Sequence, residues 1–267
     1  MNELGTRALT GSAYVALTLG AAFAGPFTTF LLFFPVCLLA ADEMHRLMRP
    51  DNEGTPRTWS ILLAATMYPA TAMGVFQEDW DLLYSAMLFA LLLLVTVVLM
   101  MIKGDRPPAE GLGGAFIIML LVSVPFGLLP YFFDHGKWVF VGFMLLLWTN
   151  DTGAYLVGRA IGRVKLMPSV SPNKTLEGFL GGVVLTLGVA FVLARYRPEL
   201  GMYHWLACGA IVAVTSTLGD LMESAFKRAR GVKDSGRILP GHGGILDRFD
   251  GFLLAVPAVL LFLWYID

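Results

Sequence analysis

Apolar stretches long enough to cross a bilayer recur from one end of this chain to the other. Roughly 20 such residues span about 30 Å of hydrocarbon as a helix. Inside hydrocarbon each backbone N–H and C=O must be satisfied within the protein, and continuous apolar runs of this length meet that demand as helices. Nine segments qualify: residues 8–24, 26–41, 59–76, 82–102, 112–133, 138–157, 176–194, 202–221 and 249–266. The expected fold is an all-α polytopic transmembrane helix bundle of about nine spans, a single integral membrane domain over residues 1–267. The chain is 57% hydrophobic and 15% charged, against about 25% charged in a soluble domain, which argues against a water-soluble fold. The first two segments part at Gly25-Pro26, because proline suits the first turn of a new helix; the rival is one long bent helix.

Where the cations lie sets an expected orientation, since Lys and Arg resist translocation. With nine spans, all but Lys137, Arg195 and Arg197 of the 19 lysines and arginines fall on the N-terminal side. That side is expected to be cytoplasmic. A net charge of -1 gives no reason to expect nucleic acid as a partner. Cys37 and Cys208 sit in apolar runs and read as packing residues, with no disulfide framework or metal-site spacing. Arg7 and the apolar stretch up to Ala22-Phe23-Ala24 imitate a cleavable signal peptide, but eight further spans would insert the chain in any case.

Before residue 137 the charges read as helix ends and short loops, and no chemistry is assigned there. Asp42, Glu43, His45 and Arg46 form the densest early cluster and read as the cytoplasmic end of a helix. The second half differs, and residues 148–267 are expected to carry the catalytic motifs. At residues 148–182 a hydrophobic helix runs into Asn150, Asp151 and Thr152 without a turn signal. An ionisable residue at such depth normally faces a cavity or bundle interior. Asp151, Tyr155 and Arg159 share a helix face, so an internal ion pair is the plainer account.

The next segment, Ser171-Pro172-Asn173-Lys174-Thr175-Leu176-Glu177-Gly178, reads as a helix N-terminus. Its backbone N–H groups, Lys174 and the hydroxyls of Ser171 and Thr175 could seat a phosphate. The alternative is an ordinary cap at Thr175 or Asn173, with Gly178, Gly181 and Gly182 allowing close helix packing. The densest polar stretch is residues 219–251, between two hydrophobic spans. Asp220, Ser224 and Lys227 fall on one helix face, and Asp247 and Asp250 on another. Two carboxylates from separate helix ends would give hard oxygen ligands for Mg²⁺, which is completed by waters and substrate phosphates. Gly243 and Gly244, beside Pro240, Gly241 and His242, let backbone N–H groups approach an anion. His242 could bind or protonate a phosphate, or serve only as a structural hydrogen-bonding residue. A patch for anionic headgroups would explain the lysines and arginines, but not the interleaved Asp220, Asp234, Asp247 and Asp250.

In these residues the chain resembles the phosphatidate cytidylyltransferases, or CDP-diacylglycerol synthases. The stretch SAFKRARGVKDSGRILPGHGGILDRFD, residues 224–250, is similar to that family's signature at each of its fixed positions, and NDTGAYLVGR and SPNKTLEG resemble family members as well. The resemblance implies attack of phosphatidate on the α-phosphorus of CTP, giving CDP-diacylglycerol and pyrophosphate in the plasma (inner) membrane of a bacterium, with the site facing the cytoplasm. It implies Mg²⁺ on Asp220 and Asp247, with Asp250 ligating or steadying a ligand; a second cation is an open alternative. By the same likeness Lys227, Arg228, Lys233 and Arg248 would hold phosphates, and Ser171, Asn173, Lys174 and Thr175 would help seat CTP. Asp151 would line the cavity, with Ser224, Gly243 and Gly244 at the substrates. The partners are then CTP, phosphatidate and membrane lipid; a homodimer is open to the chain. The rival readings are a CTP-using enzyme of isoprenoid lipids and a transporter. Transport would favour charges near the bilayer midplane, whereas these gather at one side.

Overall fold

The computed structural model describes residues 3–48, 56–77, 82–103, 108–236, 238 and 243–267. Seven helices among the described residues are long and apolar enough to cross a membrane. The other two apolar segments are helical as well. Residues 8–24 lie in α1 (Glu3–Ala24), whose described apolar part is the shorter Thr10–Ala24. Residues 138–157 lie in α7 (Lys137–Ile161), where Asn150 and Asp151 interrupt the apolar run. Gly25, at φ +120°, separates α1 from α2 (Pro26–Met48), so two helices form rather than one bent helix. The chain divides into two compact units, one of Met1–Tyr131 with Asp234–Arg248 and one of Phe132–Lys233 with Phe249–Asp267.

In the first unit α2 packs on α1 and on α3 (Arg57–Phe76), and α3 on α4 (Leu82–Lys103). Phe30 and Phe34 pack on Tyr68, whose hydroxyl donates to the Phe30 carbonyl at 2.7 Å, and Phe76 meets Phe30 edge-on. The span expected at residues 112–133 is not one regular helix. It runs as α5 (Pro108–Ile117), a π-helical stretch (Ile118–Ser123), α6 (Val124–Gly127) and a 3-10 stretch (Leu129–His135). Ser123 Oγ donates to the Ile118 carbonyl at 2.9 Å and Pro125 can donate no backbone hydrogen, and both loosen the regular ladder.

The second unit is a packed set of α7, α8 (Leu176–Tyr196), α9 (Met202–Ala229) and α11 (Phe252–Ile266). Small residues let α7 and α8 approach closely. A Cβ on Gly178 would stand 2.8 Å from the Ala154 carbonyl, and one on Gly182 2.7 Å from Asn150 Oδ1. Between α7 and α8 lies a short antiparallel hairpin, β1 (Lys165–Met167) and β2 (Ser171–Thr175). The segment of residues 171–178 does hold a helix N-terminus, capped by Thr175 as the alternative reading had it, but its first five residues are not part of the helix. They form a strand, and the helix begins only at Leu176. Pairing with β1 holds it extended, and the Leu176 N–H donates to the Val164 carbonyl at 2.8 Å. The last span is also broken: α10 (Leu246–Phe249) stops at Asp250-Gly251 before α11 begins.

Candidate active site

Helix α9 continues past the apolar run at 202–221 without a break, and its 28 residues extend about 42 Å. Its last turns therefore carry Glu223, Ser224 and Lys227 beyond the run that needs hydrocarbon, with Asp220 at the end of that run. Ser224 Oγ donates to Asp220 Oδ1 at 3.1 Å, as the i, i+4 spacing predicts. Lys227 is 7% exposed and is paired with Glu223, which is 0% exposed, through an i, i+4 ion pair. Sequence reading aimed Lys227 at phosphate and passed over Glu223. The signal was present as an acid one helical turn before the lysine.

The strand at Ser171–Thr175 delivers Lys174 to this helix: Lys174 Nζ lies 2.5 Å from Asp220 Oδ2. Thr175 is buried and its side chain accepts from the Gly178 N–H at 3.2 Å, which opens α8. Glu177 turns back to accept from the Arg163 and Val164 N–H groups at 2.9 and 3.2 Å, anchoring the hairpin. Ser171 is half-buried and Asn173 exposed on the same strand. The two motifs that were separate in sequence, SPNKT and the Asp220 helix, thus meet through one ion pair.

Asp250 reaches the same helix because the backbone there has no side chains in the way. A Cβ on Gly219 would lie 3.2 Å from the Gly251 Cα, and one on Gly251 3.0 Å from the Ser216 Cβ. Asp250 Oδ1 accepts from the Gly251 N–H at 2.6 Å, and Asp220, Glu223 and Asp151 all act on it electrostatically. Asn150 Nδ2 donates to Ser216 Oγ at 2.8 Å, tying α7 to α9 one residue before Asp151. Asp151 itself is exposed, and Arg159 donates to Tyr155 Oη at 3.3 Å. Arg228 is exposed and donates to the Val232 carbonyl at 2.7 Å; Lys233 is exposed. Among the described residues no three His, Cys, Asp or Glu side chains converge as a ready cage for a metal ion.

In the first unit, the signature loop is built around two carboxylates. Asp247 Oδ2 accepts from the Ser235 N–H at 2.9 Å, the Ser235 hydroxyl at 3.0 Å and the Gly244 N–H at 2.8 Å. Gly243 is at φ +81°, and a Cβ there would stand 2.7 Å from that oxygen, so glycine is required on both counts. The second carboxylate is Glu43, from α2, to which sequence reading assigned no chemistry; it accepts from Ser235, Ile245 and Leu246. Its neighbour Asp42 is paired with Arg46 and Arg57. Arg248 is exposed. His242, with Pro240 and Gly241, lies outside the described residues.

Helices of membrane-crossing length and an apolar composition define an all-α integral membrane protein. Comparison with known proteins narrows the class. The model of the cytidylyltransferase family matches residues 5–266. A phosphatidate cytidylyltransferase of Staphylococcus haemolyticus is 37% identical over 243 residues, which cover 88% of this chain and 90% of that protein. Phosphatidate cytidylyltransferases of Staphylococcus aureus and Staphylococcus epidermidis are each 45% identical over 154 residues, 56% of this chain and 58% of theirs. The chain belongs to the cytidylyltransferase family.

Proposed function

We propose that this chain transfers CMP from CTP to phosphatidate, giving CDP-diacylglycerol for phospholipid synthesis. A phosphate oxygen of phosphatidate bonds to the α-phosphorus of CTP, the α–β bridging bond breaks, and pyrophosphate leaves. The observation that carries the reading is 37% identity to a phosphatidate cytidylyltransferase over 90% of that protein's length. The signature at residues 224–250 stands intact beside it.

Such a transfer needs positioning and neutralisation of phosphate charge more than covalent help from the protein. Lys174 is steered to Asp220 by the hairpin, Arg228 lies exposed in the last turn of α9, and Lys233 lies exposed just beyond it. These cations, with Lys227 and Arg248, would hold the phosphates of both substrates. Ser171, Asn173 and Thr175 would help seat CTP, His242 would bind or protonate a phosphate, and Gly243 and Gly244 would present the loop backbone.

The donor set suits a divalent cation. Asp220, Glu223 and Asp151 all act electrostatically on Asp250, while Lys174 is paired with Asp220 and Lys227 with Glu223. Mg²⁺ asks for one or two carboxylates and takes its remaining ligands from water and phosphate. Asp220 and Asp247 would hold it, with Asp250 nearby. When bound, the ion supplies neutralisation of charge on the triphosphate. We further propose nine spans with the N-terminus and the site on the cytoplasmic side of a bacterial inner membrane, in a monomer or homodimer. The support is the one-sided lysine and arginine count.

Purified protein given CTP and phosphatidate in detergent should release pyrophosphate and CDP-diacylglycerol in equal amounts. Product only from a polyprenyl or other isoprenoid lipid would replace this reading, and no product from any lipid would remove it.

A further inference from the structure

The carboxylate of Glu43 is 0% exposed, and it reaches across 192 residues of sequence to the signature loop. Glu43 Oε2 accepts from the Ser235 hydroxyl at 2.9 Å and the Leu246 N–H at 2.8 Å, while Oε1 accepts from the Ile245 N–H at 3.0 Å. A buried carboxylate is costly unless it is richly hydrogen-bonded, and here all three of these donors belong to one loop. The loop is shaped to admit it. A Cβ on Gly236 would come within 3.3 Å of Glu43 Cγ, and one on Gly244 within 2.7 Å of Glu43 Cδ, so both glycines make room for this group.

The Ser235 hydroxyl sits between two acids. It has one hydrogen and lies 2.9 Å from Glu43 Oε2 and 3.0 Å from Asp247 Oδ2. The Ser235 and Gly244 backbone N–H groups also bind Asp247. Fixing Ser235, Ile245 and Leu246 therefore fixes the donors that aim the Asp247 carboxylate. We propose that Glu43 is a positioning residue: it holds Ser235, Ile245 and Leu246 so that Asp247 is kept ready for metal and phosphate. Its place in the first half of the chain makes α2 part of the reaction machinery, although it touches no substrate. The inference rests on the role proposed above for Asp247.

The isosteric change Glu43→Gln tests it, because an amide nitrogen must then face at least one of the three donors. Two readouts are needed. In the metal-free, detergent-solubilised full chain, hydrogen–deuterium exchange of the Ser235, Gly244, Ile245 and Leu246 amides should quicken by about tenfold or more, with α7, α8 and α9 unchanged. In turnover, the Mg²⁺ concentration for half-maximal rate should rise by roughly 10–100-fold, as when a group that orients a metal ligand is removed, while KM for phosphatidate stays within about twofold. Glu43→Asp should recover part of both effects. Ser235→Ala should move both in the same direction, and its combination with Glu43→Gln should fall short of the sum of the two, because the groups share one hydrogen bond. Unchanged exchange in the loop would overturn the proposal. So would a loss of rate that follows only the folded fraction, with Mg²⁺ dependence as in the unsubstituted protein. The exchange readout needs no substrate, so it decides the anchoring even if the unsubstituted chain makes no CDP-diacylglycerol; that result would refute the proposed reaction instead.

Discussion

Replacing Lys227 by Met separates two roles that the sequence runs together. The lysine is 7% exposed and its ion-pair partner Glu223 is 0% exposed, so the methionine variant removes an ammonium paired with a fully buried carboxylate. Breaking a buried pair from one side costs about 3–5 kcal/mol, whereas replacing both partners by apolar groups of similar size is often close to neutral. At roughly 2–4 °C per kcal/mol for a chain of this size, the single change should lower the unfolding midpoint by about 6–20 °C. The double change Lys227→Met/Glu223→Met should return the midpoint to within about 3 °C of the unsubstituted protein. The assay is thermal unfolding in one detergent, followed by tryptophan fluorescence and circular dichroism, with CTP turnover measured on the folded fraction at 20 °C or so. Stability should return in the double variant and turnover should not, because the ammonium also belongs to the proposed phosphate-holding set. A single variant as stable as the unsubstituted protein would refute the buried-pair reasoning, and a double variant with restored turnover would assign Lys227 to structure alone.

Asp220→Asn and Asp247→Asn should each lower turnover by about 100-fold or more while the protein remains inserted, since an amide is a poor Mg²⁺ ligand; near-normal rates in either would remove that residue from the metal site. Gly182→Ala places a methyl 2.7 Å from Asn150 Oδ1 and 3.0 Å from the Asn150 carbonyl. The overpacking should cost about 1–3 kcal/mol in detergent unfolding and lower turnover by displacing Asn150 and its neighbour Asp151. Thr175→Val keeps the buried shape but loses the oxygen that accepts from the Gly178 N–H, and should lower stability by about 1 kcal/mol, with Thr175→Ser largely restoring it.

The membrane class and the helices were legible in the sequence because both are local. Length and apolarity of a run decide whether it can cross, and Gly25-Pro26 marked the break between α1 and α2 because backbone freedom and a missing donor act on the spot. Some of the local side-chain geometry was legible as well. Asp220, Ser224 and Lys227 lie on one helix, so spacing alone placed Ser224 against Asp220. The chemistry-bearing signature is contiguous, and the family could be recognised from it.

Pairing was decided by the tertiary structure. Whether Ser171–Thr175 is a strand or a helix start depends on β1, and its consequence, Lys174 beside Asp220, depends on how the hairpin lies against α9. The break at Asp250-Gly251 is set by the close approach to Ser216 and Gly219. Glu43 read as an ordinary helix end, yet it is buried against a loop 192 residues further on. Hydrophobicity and helical spacing are properties of neighbours along the chain, whereas the partner of a buried charge is chosen by whichever donors the folded backbone brings to it. That choice is not written at the position of the charge itself.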